Sequence, residues 1–313
     1  MNYRRLGGSG LKVSEVSLGS WLTYGGYVER ENAVKAIETA YDLGVNFFDT
    51  ANVYERGAAE VLLGETIKAY PRESYVLATK AFWPMGDGPN DRGLSRKHVI
   101  EQANASLKRL NTDYVDIFYC HRYDQETPLQ ETLRAIDDLI RSGKVLYAGV
   151  SEWTASQMAD ALATADRYLL DRIVVSQPVY NMFDRYIEKE VIPYGEKNGI
   201  GQVVFSPLAQ GLLTGKYTSA GSIPEGSRAA KLEWVRNGIT EEKIAKVGAL
   251  SAIAKELEIT TGQLALAWIL RQPNVASALV GASRPEQVVE NVNASGITLS
   301  EDVLARIEAI LAG

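Results

Sequence analysis

Apolar positions along this chain fall into two alternating patterns. Short runs occur at Val16–Gly19, Val45–Asp49, Tyr75–Thr79, Tyr114–Cys120, Leu146–Val150, Ile173–Ser176, Gln202–Phe205 and Ala276–Val280. Most are continuously apolar rather than alternating, as in strands buried on both faces. Between them lie longer segments with helical periodicity. In Glu31–Leu43, for example, Ala33, Ile37, Ala40 and Tyr41 share one face. Gly57–Ala69, Ser95–Leu110, Leu129–Ser142, Ala155–Ala165 and Tyr186–Asn198 behave alike, and Gly44, Gly143 and Gly199 stand where the first, fourth and sixth helices should stop. Ser95 is an N-cap candidate that lacks the acidic partner of a capping box.

Strand and helix alternating in this way predict parallel strands with right-handed crossovers. An unbroken series of eight such units predicts a closed (β/α)8 TIM barrel, one domain over residues 1–313. Tyr3–Val13, with Gly7-Gly8-Ser9-Gly10 at its centre, reads as a β-hairpin able to plug the barrel's bottom. Pro207–Gly238 is a long connection rich in Gly, Ser and Pro, and loops of that length in a compact domain usually serve function. Extra helices are expected at Glu241–Glu258, Gly262–Arg271 and Glu301–Leu311.

Composition narrows the function. Net charge is −6, which argues against nucleic acid as a main partner. The single cysteine, Cys120, excludes an internal disulfide and fits a reducing compartment. With no apolar leader and no membrane-length apolar stretch, the expectation is a cytoplasmic protein, with homo-oligomers left open. No cluster has metal-ligand spacing, no Gly-x-Ser-x-Gly elbow is present, and Gly7-Gly8-Ser9-Gly10 does not open a dinucleotide-binding strand–helix unit.

The candidate chemistry stands at strand ends. Asp49, Lys80 and His121 close three consecutive strand runs, and Tyr54 follows Asp49 by five residues. Active sites of such barrels lie at this rim. Taken singly, Asp49 fits a helix cap, Lys80 a solvated charge and Tyr54 a loop tyrosine. Together they form a proton-transfer set. Reducing a carbonyl by hydride leaves an alkoxide that needs a proton, and Tyr54 can supply it. Its ordinary pKa is about 10, and a nearby Lys80 ammonium is expected to lower it. Asp49 would hold Lys80 charged, and His121 would polarise the carbonyl. His98 lies within a helix and is read as a surface residue.

The run Gly44-Val45-Asn46-Phe47-Phe48-Asp49-Thr50-Ala51-Asn52-Val53-Tyr54 resembles the signature of the aldo-keto reductases, continued by Glu60-Val61-Leu62-Leu63-Gly64, Thr79-Lys80 and His121. Arg92 to His98, Tyr180 to Phe183, Ser206 to Leu208 and Leu279 to Ser283 are most similar to the branch holding voltage-gated potassium-channel β subunits and their bacterial relatives. The resemblance implies NADP(H), bound extended across the barrel mouth. Ser151 and Gln177 would hold the nicotinamide carboxamide, with Ser20, Trp21, Asp49 and Glu152 as further cofactor contacts. Phe205 would stack on that ring, though a strand-end Phe can equally be core. Ser206, Pro207, Leu208, Gln210, Gly211, Lys216 and Arg228 would cover the pyrophosphate, although the two cations alone would read as solvated. Gly281, Ser283, Arg284, Gln287, Glu290 and Asn291 would take the adenosine end, where a helix starting near Pro285 aims amides at a phosphate.

Two departures from the pattern stand out. Glu152 occupies a position where the family often has Asn, which puts one carboxamide bond in doubt. His121 matches the ordinary reductases, whereas the channel subunits have Asn there. The expected activity is NADPH-dependent reduction of aldehydes to alcohols, with ketones as a further class. Trp21, Tyr24, Trp83 and Tyr123 would line the substrate pocket or equally pack beneath the loops. The rivals are a nucleotide-binding regulatory subunit with slow turnover, and an alcohol or sugar dehydrogenase working oxidatively on the same residues.

Overall fold

A computed structural model describes residues 1–26 and 28–313. After the hairpin β1 (Tyr3–Arg5) and β2 (Lys12–Ser14), eight parallel strands close into a barrel. They are β3 (Val16–Gly19), β4 (Phe47–Asp49), β5 (Val76–Ala81), β6 (Val115–Cys120), β7 (Val145–Ser151), β8 (Ile173–Gln177), β9 (Gly201–Phe205) and β10 (Val275–Val280). They pair in chain order, and β10 closes the ring on β3 through Val280 opposite Leu18. This is the (β/α)8 barrel predicted from the alternation.

Helices α1 (Arg30–Asp42), α2 (Ala58–Ile67), α3 (Arg96–Leu110), α4 (Leu129–Arg141), α5 (Ala155–Tyr168) and α6 (Val191–Asn198) surround its first six crossovers. α1, α4 and α6 stop against Gly44, Gly143 and Gly199, each at positive φ. The Ser95 hydroxyl accepts from the His98 amide and caps α3. His98 itself is buried, which corrects its reading as a surface residue. The helix expected over 186–198 is divided into a 3-10 turn, Tyr186–Glu188, and then α6. Pro193 explains the break: without an N–H it is tolerated only in a first turn, so the regular helix starts at Val191.

The long connection after β9 contains a 3-10 segment, Ala209–Thr214, and two short helices, α7 (Arg228–Lys231) and α8 (Glu233–Asn237). The tail carries α9 (Glu241–Glu256), α10 (Thr261–Leu270), α11 (Pro285–Val292) and α12 (Glu301–Ala312). Among the described residues no helix is long and apolar enough to cross a membrane.

The barrel interior follows the period of two that strands impose. Phe47 leads to Asp49 on β4, Val76 and Ala78 to Lys80 on β5, and Ile117 and Tyr119 to His121 just past β6. Tyr147 and Gly149 lead to Ser151 on β7, Val175 to Gln177 on β8, and Val203 to Phe205 on β9. The lower members of these columns pack together as one apolar cluster. Their upper members are the polar residues singled out above, together with Phe205. Gly149 is bare because Tyr119 fills its place: a Cβ there would stand 2.6 Å from the Tyr119 ring. The hairpin seals the lower end, where Leu6 and Val13, fully buried, join the same cluster. The outward-facing strand residues pack with the helices in a second cluster that includes Phe48, Leu77, Phe118 and Val150.

Candidate active site

The site starts from one buried ion pair. Lys80 is fully buried and Asp49 nearly so, and the Lys80 ammonium donates to Asp49 Oδ1. It also donates to the Thr50 carbonyl at 2.8 Å and to the Tyr54 hydroxyl oxygen at 3.5 Å. These contacts use all three of its hydrogens. Asp49 Oδ2 accepts from Gln177 Nε2 at 2.9 Å. Tyr54 begins a 3-10 turn after β4, and its ring lies edge-on to that of His121, with centroids 5.8 Å apart. The Trp83 ring packs on His121 from another side at 6.4 Å. His121 Nδ1 is buried without a hydrogen-bond partner among the described residues.

Burial dominates the protonation states. Desolvation works against the Lys80 charge, yet Asp49 and Tyr54 together hold its pKa above the usual amine value. Burial raises Asp49, against the pull of Lys80 and Gln177. It also drives His121 well below the ordinary value of 6.5, helped by the charges of Lys80 and Arg122, so the imidazole is neutral at pH 7. Tyr54 corrects the sequence reading: its pKa is raised, not lowered. Desolvation outweighs Lys80, part of whose effect is cancelled by Asp49. Tyr54 is therefore a phenol with its proton in place.

From this end a cleft of about 1090 Å³ runs across the barrel mouth to α11. That is just above the range of ordinary ligand pockets, and leaves room for a ligand of dinucleotide size. Ser151, Gln177 and Phe205 line the half nearest Tyr54, and Trp21, Ser206, Pro207, Leu208, Gln210 and Gly211 continue the wall. The Ser151 hydroxyl donates to the Gln177 carbonyl at 2.8 Å, which leaves its oxygen free to accept. Lys216, Arg228 and Arg284 converge on the far half, with Gly281, Ser283, Gln287, Glu290 and Asn291. Burial, and then the charges of Arg228 and Arg284, hold the Lys216 pKa below that of a free amine. Clustered cations in a half-buried groove are a site for phosphate. Arg228 also donates to Gln210 Oε1 at 2.5 Å. A Cβ on Gly281 would stand 2.9 Å from an Arg228 terminal nitrogen, so a side chain there would push the guanidinium aside. Gln287 Oε1 accepts from both the amide and the hydroxyl of Ser283, tying the start of α11 to the strand that precedes it.

Four residues expected here lie elsewhere. Ser20 is buried beneath its loop, its carbonyl accepting from the Thr23 and Tyr24 amides. That tight turn folds Tyr24 back into the core instead of the cleft. Tyr123 packs edge-on against Trp153 at 4.8 Å rather than facing the pocket. Glu152 has a left-handed backbone, and its carboxylate accepts from the Val179 amide at 2.6 Å and the Tyr186 hydroxyl at 3.1 Å. It is a loop brace and does not line the cleft. Of the four aromatics expected in the substrate pocket, Trp21 and Trp83 line it. The sequence reading passed over Arg122, which lines the cleft directly after His121; a cation next to a strand-end histidine was the available signal. It also passed over Leu22, Val53 and Glu55 at the same end.

The family profile of the aldo/keto reductases matches residues 15–312. The chain is 46% identical over 320 residues to a probable voltage-gated potassium channel subunit beta of Arabidopsis thaliana, covering 99% of this chain and 97% of that protein. It is 43% identical over 320 residues to a protein of the same description in Oryza sativa subsp. japonica, with the same coverage of 99% and 97%. A barrel with its polar set at the C-terminal rim and a match over its whole length lead to one conclusion: the chain belongs to the aldo/keto reductase family.

Proposed function

We propose that this protein reduces aldehydes, and ketones as a further class, to alcohols with NADPH as the reductant. The family is one of oxidoreductases that generally bind NAD(P)H and act on small carbonyl substrates. The carrying observation is the Lys80 ammonium held between Asp49 and Tyr54, with His121 beside the phenol, at one end of a long cationic cleft. When bound, the dinucleotide supplies a hydride to the carbonyl carbon. His121, neutral, donates a hydrogen bond to the carbonyl oxygen and polarises it. Tyr54 gives its proton to the oxygen as negative charge develops there. Lys80 stabilises the phenolate that remains, and Asp49 keeps Lys80 charged and aimed. A phenol that holds its proton suits reduction; the oxidative rival needs a phenolate, which burial disfavours.

The preference for NADPH over NADH rests on Arg284. It is the N-cap residue of α11, and no side-chain cap bond occupies it. It lines the far end of the cleft with Lys216 and Arg228. A ribose 2′-phosphate would meet that guanidinium and, once it turns from Gln287, the Ser283 hydroxyl. Steady-state turnover of a panel of simple aldehydes, followed by NADPH absorbance, tests the whole reading. Arg284→Ala should raise the KM for NADPH about 10- to 100-fold and that for NADH little, the loss expected of a charged hydrogen bond. A wild type that favours NADH would defeat the choice of cofactor. A wild type that binds NADPH and turns over none of the aldehydes would favour the second reading, a nucleotide-binding regulatory subunit, to which the channel-subunit relatives point.

A further inference from the structure

Arg122 stands at the reacting end of the cleft, and the proposed chemistry gives it no part. One of its terminal nitrogens donates to the His121 backbone carbonyl at 2.6 Å. Its guanidinium lies 5.5 Å from the Trp83 ring centroid, and the same Trp83 packs edge-on against His121. The cation is thus fixed from two sides beside the residue that would polarise the carbonyl. Among the described residues it forms no ion pair. The acidic groups nearby are turned to other partners. Glu152 is held by the Val179 amide and the Tyr186 hydroxyl, and Asp124 by the Leu94 and Glu126 amides and the Thr127 hydroxyl.

A guanidinium has five N–H donors in a planar fork, and oxyanions fit that fork with paired, charge-assisted bonds. Only one bond to an acceptor is made here, so the remaining donors are available to a ligand in the cleft. The phosphates of a dinucleotide would be taken at the opposite end by Lys216, Arg228 and Arg284. An oxyanion at Arg122 has to come from the substrate. Trp83 offers an apolar wall for the carbons that join such an anion to the carbonyl.

We infer that Arg122 selects aldehydes that carry an oxyanion, a carboxylate or a phosphate, a few bonds from the carbonyl. This rests on the carbonyl reduction proposed above. Two substrate pairs separate the anion from the rest of the molecule: 4-carboxybenzaldehyde with 4-methylbenzaldehyde, and glyceraldehyde 3-phosphate with glyceraldehyde. For each pair the measured quantity is the ratio of kcat/KM, anionic over neutral, in wild type, Arg122→Gln and Arg122→Lys. The wild type should favour the anionic member of at least one pair. Arg122→Gln should lower that ratio about 10- to 100-fold, chiefly through KM, and Arg122→Lys should restore part of it. Effects of the lost charge on His121 and Tyr54 act on both members of a pair and cancel in the ratio, and turnover of the neutral member shows that the variant is folded. Which pair responds tells carboxylate from phosphate. No anionic preference in either pair, or a ratio that Arg122→Gln leaves unchanged, overturns the inference while the reductase reading stands. No turnover of any of the four aldehydes overturns the reductase reading and this inference with it.

Discussion

At the scale of single residues, the site is governed by the cost of burying charge. An ammonium out of water loses several kcal/mol of solvation unless its hydrogens and its charge are met. Lys80 meets both through Asp49, Thr50 and Tyr54. Tyr54 receives the weakest of the three contacts, and its proton stays on. The phenol and the imidazole set opposite limits on the reaction. Tyr54 must be protonated, which holds below a pKa raised above the ordinary 10.0. His121 must be neutral, which holds above a pKa pushed below 6.5. The rate of reduction should therefore be flat across neutral pH, falling on the acid side only below about 6.5 and on the alkaline side only above about 10. A pH profile of kcat with saturating NADPH checks this, and an alkaline limb near pH 8 would show that the phenol is tuned downward after all. Tyr54→Phe removes the proton and leaves the Asp49–Lys80 pair. It should cut kcat by about 10²- to 10⁴-fold while the Kd for NADPH, read by fluorescence, barely moves. Near-wild-type turnover in that variant would remove Tyr54 from its role.

At the scale of elements, the question is what holds Tyr54 in place. It opens a turn in which Glu55 and Arg56 both adopt left-handed backbone, with φ of 47° and 51°. Such residues persist only when neighbours fix them. The clasp is Glu60 of α2, fully buried, which accepts from the Thr79 hydroxyl on β5 and from Arg109 on α3, each at 2.5 Å. Arg109→Ala would leave Glu60 as a buried unpaired charge and should cost about 3–5 kcal/mol of stability. Replacing both, Glu60→Met with Arg109→Met, should recover much of that in denaturant unfolding. If the clasp also positions Tyr54, kcat stays low in the double variant; a double variant that regains full kcat would make the clasp purely structural. Much at this scale was legible beforehand. The eight strands could be read because most are continuous apolar runs, whose ends marked Asp49, Lys80 and His121; Ser151, Gln177 and Phe205 came from the family resemblance, and period two is what brings all six to one rim. Loops were not legible in the same way. No periodicity says that Tyr24 and Tyr123 turn inward, or that Glu152 braces Val179. α5 runs on to a left-handed Leu169, a residue that gives no stop signal. The short helices α7 and α8 have too few residues for a helical period to emerge.

At the scale of the whole molecule, the barrel separates its stability from its chemistry by placing them at opposite ends. The lower end is closed by the hairpin. The Gly8 amide donates to the Gly199 carbonyl at 2.8 Å, and the left-handed Gly7 lies so close to Gly199 and Gly201 that a Cβ there would clash with their backbone. Glu15 extends the seal: its carboxylate accepts from Arg4 at 2.7 Å, from the Ser295 hydroxyl at 2.8 Å and from the Gly296 amide at 3.1 Å. Leu6 is the apolar tip of this plug, fully buried against the floor formed by Phe47, Val76 and Ile117. Above that floor the strands climb to Asp49, Lys80 and His121. A cavity at Leu6 is thus separated from the reacting groups by a packed layer of side chains, in an interior that relaxes little when one member is removed. Leu6→Ala should cost about 2–5 kcal/mol, the usual range for a buried leucine, and lower the Tm accordingly. Well below that Tm, kcat and the KM values for NADPH and aldehyde should stay within about twofold of wild type, since a change of twofold is well under 1.4 kcal/mol. Tyr54→Phe should do the reverse, with activity lost and Tm nearly kept. Running unfolding and kinetics on both variants tests the separation directly. If Leu6→Ala shifts KM or kcat tenfold while still folded, the floor is transmitting strain upward, and the two ends of the barrel are coupled.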